Sequence, residues 1–271
     1  MPNKINTSWG KDADWYQGVV TDNDSYQQNV ILPNLLRLMT NIPHAPFEGG
    51  LKGEKILDVG CGTGFFSKEF AKAGGVVTGV DVGEELLNIA RKNVPKGKFI
   101  ASSAEDMKAV ASESVDKAVI VLALQNIADA GTALKECGRI LKKDGQLFVV
   151  LNHPVLRIPQ SSSWGWDPHL NPLPKGEGRV RGIQYRRLDS YLSEKKIKIQ
   201  MHPGDNPEEH TWSFHRPLQV YFKMLFKAGF VVERLEEWVS HRITPVGTRK
   251  EAENRSRAEF PLFLALVATK R

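Results

Sequence analysis

Cysteine is scarce in this chain: 271 residues carry only Cys61 and Cys137. A disulfide framework is excluded, and a reducing, cytoplasmic setting is expected. Long apolar runs are missing too. The longest, residues 118–124, is far too short to span a bilayer. The start, Met1-Pro2-Asn3-Lys4, has no apolar signal region. Repeats and low-complexity tracts are absent, so neither a repeat array nor a biased linker is expected. His202, Glu208, Glu209 and His210 lie close in sequence, but their irregular spacing matches no zinc pattern, and no metal is expected. Acidic residues are in deficit. The net charge of +6 mildly favours an acidic partner such as RNA or an anionic metabolite, although solvated lysines account for most excesses of this size. What is present is an apolar fraction of 41%, enough for a sizeable core in one large domain or a domain with an insertion.

The organising stretch is residues 55–66. Ile56, Leu57 and Val59 read as a buried strand, Gly60, Gly62 and Gly64 as a turn, and Phe66, Phe70 and Ala73 as one face of a helix. Glycines between strand and helix let backbone approach a ligand closely. They also aim the N–H groups of the helix start at it. A dinucleotide site would have G-x-G-x-x-G, with the third glycine for close helix–strand packing. Here that place is Phe65, and the spacing is G-x-G-x-G. Asp58, two residues before the first glycine, would repel a pyrophosphate and suit an ammonium. Cys61, inside the turn, reads as a small space-filler rather than a nucleophile.

Asp58-x-Gly60-x-Gly62-x-Gly64 resembles the first motif of class I S-adenosylmethionine (SAM) methyltransferases. SAM has no phosphate; it carries an ammonium, a carboxylate and a sulfonium. The next strand, residues 76–80, ends in Asp81, 21 residues past Gly60, where an acid can accept both ribose hydroxyl bonds. Residues 86–90 then read as a helix and 98–101 as a third strand. Ser103-Ala104-Glu105-Asp106 resembles the family's adenine-contacting segment, which makes Asp106 an acceptor for the adenine amino group; helix capping is the alternative for Glu105 and Asp106. The resemblance implies a cofactor site of Asp58, Gly60, Cys61, Gly62, Gly64, Asp81, Val82, Ala104, Glu105, Asp106, Leu122 and Gln125. It further implies SAM as cofactor and S-adenosylhomocysteine as product.

Residues 116–124 are the most apolar strand, as at the centre of a doubly wound sheet. Ala123-Leu124-Gln125-Asn126 follows in place of the Asn/Asp-Pro-Pro-aromatic motif of enzymes that methylate DNA amino groups, which argues against that branch. A helix is expected over 130–141, stopped by Gly145, and a fifth strand over 146–151. Its Arg139-x-Leu141-Lys142-x-x-Gly145 passage resembles ubiquinone- and menaquinone-biosynthesis-type methyltransferases. That resemblance is specific over 55–151 and general beyond it.

The expected fold is α/β: a doubly wound, mostly parallel seven-stranded sheet with helices on both faces, an antiparallel last strand and an insertion after the fifth strand. Residues 1–54 form a helical lead-in, with Trp9, Trp15, Tyr16 and Tyr26, and a helix from Pro33. In the family such a helix often folds over the cofactor; packing on the sheet edge is the alternative. Residues 55–151 are the SAM-binding core. Residues 152–215 are a lid or arm, with loop over 159–178 and a β-hairpin over 182–201. Residues 216–271 complete the sheet with a helix over 218–229 and strands over 230–238 and 259–269.

From residue 175 to 200, Lys and Arg number eight against three Asp and Glu, with Trp164, Trp166 and Tyr185 in the same insertion. Such an arm could grip RNA, line a small-molecule pocket, or lie solvated. The expected function is methyl transfer to a small-molecule acceptor by in-line displacement. The alternatives are an RNA methyltransferase or a SAM-binding module without transfer. His153, just past the fifth strand, is the first candidate base and His215 the second, although a strand-end histidine is more often structural. Asn152 could orient a substrate oxygen. Neither the acceptor nor the oligomeric state is fixed by the sequence.

Overall fold

The computed structural model describes residues 13–40, 50–167, 183–202 and 206–271. Trp9, the stretch 168–182, and the side chains of His202, Glu208 and Glu209 lie outside the described residues. The chain opens with α1 (Ala13–Thr21) and α2 (Leu32–Thr40). Core units follow in alternation: β1 (Lys55–Val59), α3 (Phe65–Lys72), β2 (Val76–Asp81), α4 (Glu84–Asn93), β3 (Lys98–Ala101), β4 (Val115–Val121), α5 (Ala130–Ile140) and β5 (Leu141–Asn152). The insertion carries β6 (Ser162–Asp167), β7 (Ile183–Leu188), β8 (Lys195–His202) and β9 (Asn206–His215). Then come α6 (Leu218–Lys227), β10 (Phe230–Trp238), α7 (Lys250–Glu259) and β11 (Phe263–Lys270).

Seven strands form one sheet in the order β10-β11-β5-β4-β1-β2-β3. The pairs from β3 to β5 are parallel, and β11 runs antiparallel to both β5 and β10. This is the expected fold class. Strand alternation sorts the core into two faces. Leu57, Val59, Ile120, Val149 and Leu266 pack with α5 and α6 on one face. Ile56, Val119, Phe148, Val150 and Val267 pack with α2, α3 and Trp238 on the other. Each fully buried side chain of this size contributes about 1.5–3 kcal/mol.

Several boundaries differ from the sequence reading. The helical lead-in starts before Pro33: a π-turn (Gln27–Ile31) runs straight into α2, with Leu32 N–H donating to the Gln27 carbonyl. Proline has no N–H for the i→i−4 ladder, and a π-turn just ahead of it absorbs the missing bond. Helix α5 stops at Leu141, in extended conformation, rather than at Gly145; residues 142–145 bulge out within β5, and Asp144 takes the positive φ of 61°. β4 ends at Val121, and a short 3-10 turn (Leu124–Asn126) follows.

The insertion is two ribbons instead of one hairpin. β6 pairs antiparallel with β7, and β8 with β9, so the loop expected over 159–178 contains a strand and the hairpin expected over 182–201 is split between partners. α7 was not read from the sequence, because its face buries only Ala252 and Ser256 and gives no apolar stripe. β11 begins at Phe263, since residues up to Glu259 belong to α7.

Candidate functional site

The glycine turn crosses from β1 to α3 at the carboxyl edge of the sheet, the edge where open α/β sheets bind ligands. Gly60 N–H and Cys61 N–H both donate to the Val80 carbonyl at 2.7 and 3.1 Å, which ties the turn to β2. Gly60 has φ of 70°, and a Cβ there would stand 2.5 Å from the Ala123 Cβ, so only glycine lets the turn lie against the end of β4. At Gly62, φ is 53°, and a Cβ would meet the Tyr16 ring of α1 at 3.3 Å. The Tyr16 ring therefore lies over the turn. Tyr26 packs edge-on against Phe263 at the sheet, ring centroids 5.7 Å apart.

The acids divide the work. Asp81 accepts from Gly62 N–H and Gly83 N–H, both at 2.9 Å, which fixes its carboxylate at the tip of β2 beside the turn. Burial raises its pKa above the ordinary carboxylate value, opposed by these two amides. Asp58 is 2% exposed and accepts from Ser67 Oγ at 2.6 Å. Burial pushes its pKa to about 7, against the pull of the Ser67 bond. The Tyr16 phenol is pushed well up by burial and then by the charges of Asp81 and Asp58. The Cys61 thiol is also raised, first by burial and then by Asp58 and Asp81, which is opposite to an activated nucleophile and agrees with the space-filling reading.

Around this turn three buried oxygens lack a hydrogen-bond partner: Gln17 Oε1 on α1, Thr63 Oγ1 in the turn and Gln125 Oε1 past β4. Gln125 Nε2 holds its amide by donating to the Leu122 carbonyl at 2.9 Å. Leu122 itself has φ of 53°, a rare conformation for leucine, where the chain leaves β4. Orphan acceptors beside two carboxylates fit a donor-rich ligand with an ammonium, ribose hydroxyls and an adenine amino group. Sequence reasoning missed Gln17, Thr63 and Ser67, whose residue types carry no motif of their own.

The remaining cofactor candidates are spread along the same edge. Val82 is exposed after β2. Ala104 packs partly against the core. Glu105 Oε1 accepts from Asp129 N–H at 2.8 Å, bracing the loop after β3 against the start of α5; no helix begins at Glu105, so the capping alternative falls. Asp106 is exposed and 3.1 Å from Lys108 Nζ.

His153 differs from the sequence expectation. It is 4% exposed, its Nε2 is 2.7 Å from Glu237 Oε1 on β10, and its Nδ1 accepts from Val155 and Leu156 N–H at 3.3 Å. A base needs a free lone pair facing substrate, and this one faces backbone amides. His215 is also engaged: its Nε2–H donates to the Tyr191 carbonyl at 2.7 Å, inside the insertion. Both rings are thus used within the protein. Asn152 turns its Oδ1 to Arg157, 2.9 Å away.

A cavity of about 430 Å³ opens at the opposite, amino-terminal edge of the sheet, between Leu38, Glu54, Lys117 and Arg234. It lies away from the turn and its orphan oxygens. Among the described residues, no group of three or more His, Cys, Asp or Glu is placed to hold a metal ion, and no helix is long and apolar enough to cross a membrane.

Strand order, the glycine turn and the acid at the tip of β2 resemble those of class I SAM-dependent methyltransferases, and the chain is a SAM-dependent methyltransferase with SAM as cofactor. Residues 57–149 match the family model described as a methyltransferase domain. The chain is similar to the ubiquinone biosynthesis O-methyltransferase of Salmonella paratyphi A, 28% identical over 193 residues, 66% of this chain and 77% of the relative. It is 34% identical to the protein of that name from Haemophilus ducreyi over 135 residues, 47% of this chain and 57% of the relative. Among solved structures, a SAM-dependent methyltransferase from Mesorhizobium loti superposes with a TM-score of 0.63 at 22% identity, over 88% of this chain and 96% of that one.

Proposed function

We propose that the chain transfers a methyl group from SAM to a small-molecule acceptor held between the carboxyl edge of the sheet and the two ribbons of the insertion. The observation that carries this reading is how the insertion is fastened. Arg186 on β7 donates through Nε to the Leu156 carbonyl at 2.8 Å and through its other nitrogen to Ser162 Oγ at 2.8 Å. β9 runs beside the 3-10 turn at the end of β4. Arg216, next to its end, donates to the Ile127 and Ala128 carbonyls at 2.8 and 2.7 Å. Ribbons fastened this way suit an enclosed small acceptor better than an open groove for a polymer. The Salmonella and Haemophilus relatives, named for O-methylation in ubiquinone biosynthesis, add support for a small acceptor with an oxygen nucleophile.

The RNA alternative calls for aromatic faces free to stack on bases. In this insertion three Trp rings each have one face covered by a cation, Arg186 over Trp164 at 5.1 Å, Arg249 over Trp166 at 4.9 Å and Lys196 over Trp212 at 4.2 Å, while Tyr185 stays exposed. The small-molecule reading is the better supported.

A sulfonium supplies the electrophilic methyl carbon, so the chain's own work is to position and to exclude water. Asp81, preset by the Gly62 and Gly83 amides, accepts from the ribose hydroxyls. Asp106 accepts from the adenine amino group. Tyr16 closes the turn from above. Neither histidine is assigned as the base.

Incubation with methyl-labelled SAM, offered phenols and acids in one vessel and total RNA in another, tests the reading. Label is expected in the small-molecule fraction. Label in the RNA would overturn it, and SAM binding without transfer to either would favour the binding-module alternative.

A further inference from the structure

Arg157 stands five residues past the end of β5, on a turn closed by its own N–H, which donates to the His153 carbonyl at 2.8 Å. The His153 ring organises that turn from within by accepting from the Val155 and Leu156 amides. The guanidinium lies over the Phe263 ring, 5.7 Å from its centroid, at the start of β11. It is half-buried, and among the described residues one of its five N–H donors is used, on Asn152 Oδ1 at 2.9 Å. Among the described residues, no carboxylate is paired with it. Of the described groups around it, Tyr26 and Arg186 act on its charge, and Arg186 is a like charge. Burial, with Arg186 adding to it, lowers its affinity for the proton from the ordinary arginine value. Arg186 also has its charge partly withdrawn from water, and its bonds go to a carbonyl and a hydroxyl.

Two guanidiniums, one acting on the charge of the other, partly desolvated and without a carboxylate partner among the described residues, are unfavourable unless something negative joins them. Elsewhere the chain does pair its arginines: Arg139 with Glu136, Arg91 with Glu84, Arg242 with Asp24. Among the described residues Arg157 and Arg186 show no such pairing, and both lie at the carboxyl edge, where the acceptor is proposed to sit.

We propose that the methyl acceptor carries a carboxylate, and that Arg157, with Arg186 beside it, seats that carboxylate above β5 and β11. The proposal rests on the small-molecule reading above. A planar carboxylate matches the fork of N–H donors that Arg157 leaves open, and such pairs are short, charge-assisted and directional. Held at β5 and β11, the anion fixes one end of the acceptor, and the other end reaches toward β4 and the glycine turn. His153 is a positioning residue in this account, since it shapes the turn that presents Arg157.

The test uses ¹⁵N-labelled chain and follows the arginine Nε–H resonance that disappears in Arg157→Lys. S-adenosylhomocysteine is titrated first; absence of its binding overturns the methyltransferase reading and leaves the anion seat to be decided on its own. Benzoate, its neutral analogue benzamide and inorganic phosphate are then titrated, with and without S-adenosylhomocysteine. Benzoate is expected to shift the Arg157 resonance saturably, with benzamide about tenfold weaker or more, and Arg157→Gln should abolish the contrast. The benzoate–benzamide contrast is read on the unaltered chain, so it decides even if a variant fails to fold. No shift with benzoate, an equal response to benzamide, or a stronger response to phosphate would overturn the carboxylate assignment.

Discussion

At Gly60 the backbone would make the proposed cofactor site, whereas at Arg157 a side chain would make the proposed acceptor site, and the two lie on the same edge of one sheet. In the cofactor half, positive φ angles, amide donors and two fixed carboxylates leave few ways to build the turn. In the proposed acceptor half, side chains do the fastening: Arg186 bonds the Leu156 carbonyl and Ser162 Oγ, and Arg157 bonds Asn152. A backbone-built half suits a ligand that never changes, and a side-chain-built half can be re-cut for different acceptors without disturbing the first.

The largest expected effect follows from cutting the two halves apart. Replacing residues 163–187 with a short Gly-Ser linker, which removes the β6–β7 ribbon, should abolish transfer while SAM binding measured by calorimetry stays within a few-fold of the parent. Joint loss of both would show that the halves are one unit.

Gly60→Ala attacks the backbone-built half. The αL conformation costs a non-glycine residue about 1–2 kcal/mol, and overlap with Ala123 adds about 1–3 kcal/mol. Urea unfolding should show that loss, and SAM affinity should fall with it.

His153→Ala attacks the other half. Losing the Glu237 bond and leaving two turn amides without an acceptor should cost about 1–3 kcal/mol of stability. Acceptor KM should rise more than kcat falls. A rate loss of about 10²–10⁴-fold at saturating acceptor, in a folded variant, would restore the base assignment.

The smallest effect is a pH slope. Asp58, whose pKa burial raises to about 7, holds its proton in the folded chain after the unfolded chain has released it. Its contribution to stability is fully present below pH 4 and is lost as pH rises toward 7, at about 1 kcal/mol per pH unit or less. Urea midpoints from pH 4.5 to 8 should show this fall in the unliganded chain and lose it in Asp58→Asn.

The comparison also explains what could be read from the sequence. β1, the glycine turn and Asp81 are legible because local rules dictate them: an apolar run, glycines where side chains clash, and an acid at a fixed distance. The ribbons are not, because β6 finds β7 across a long connection and neither strand has a strong apolar face. α7 hides for the same reason. His153 is legible by its position after β5, but its partners, Glu237 and the following amides, come together only in the folded chain. Arg157 had no motif at all; its interest comes from the partners it lacks.

The central claim is that the turn and the acid of β2 hold SAM. Calorimetric titration of SAM and of NAD into the wild-type chain and Asp81→Ala tests it most directly. The account predicts saturable SAM binding, weakened by about 1.5–3 kcal/mol in Asp81→Ala, and negligible NAD binding. Unchanged SAM affinity in the variant, or preference for NAD, would contradict it.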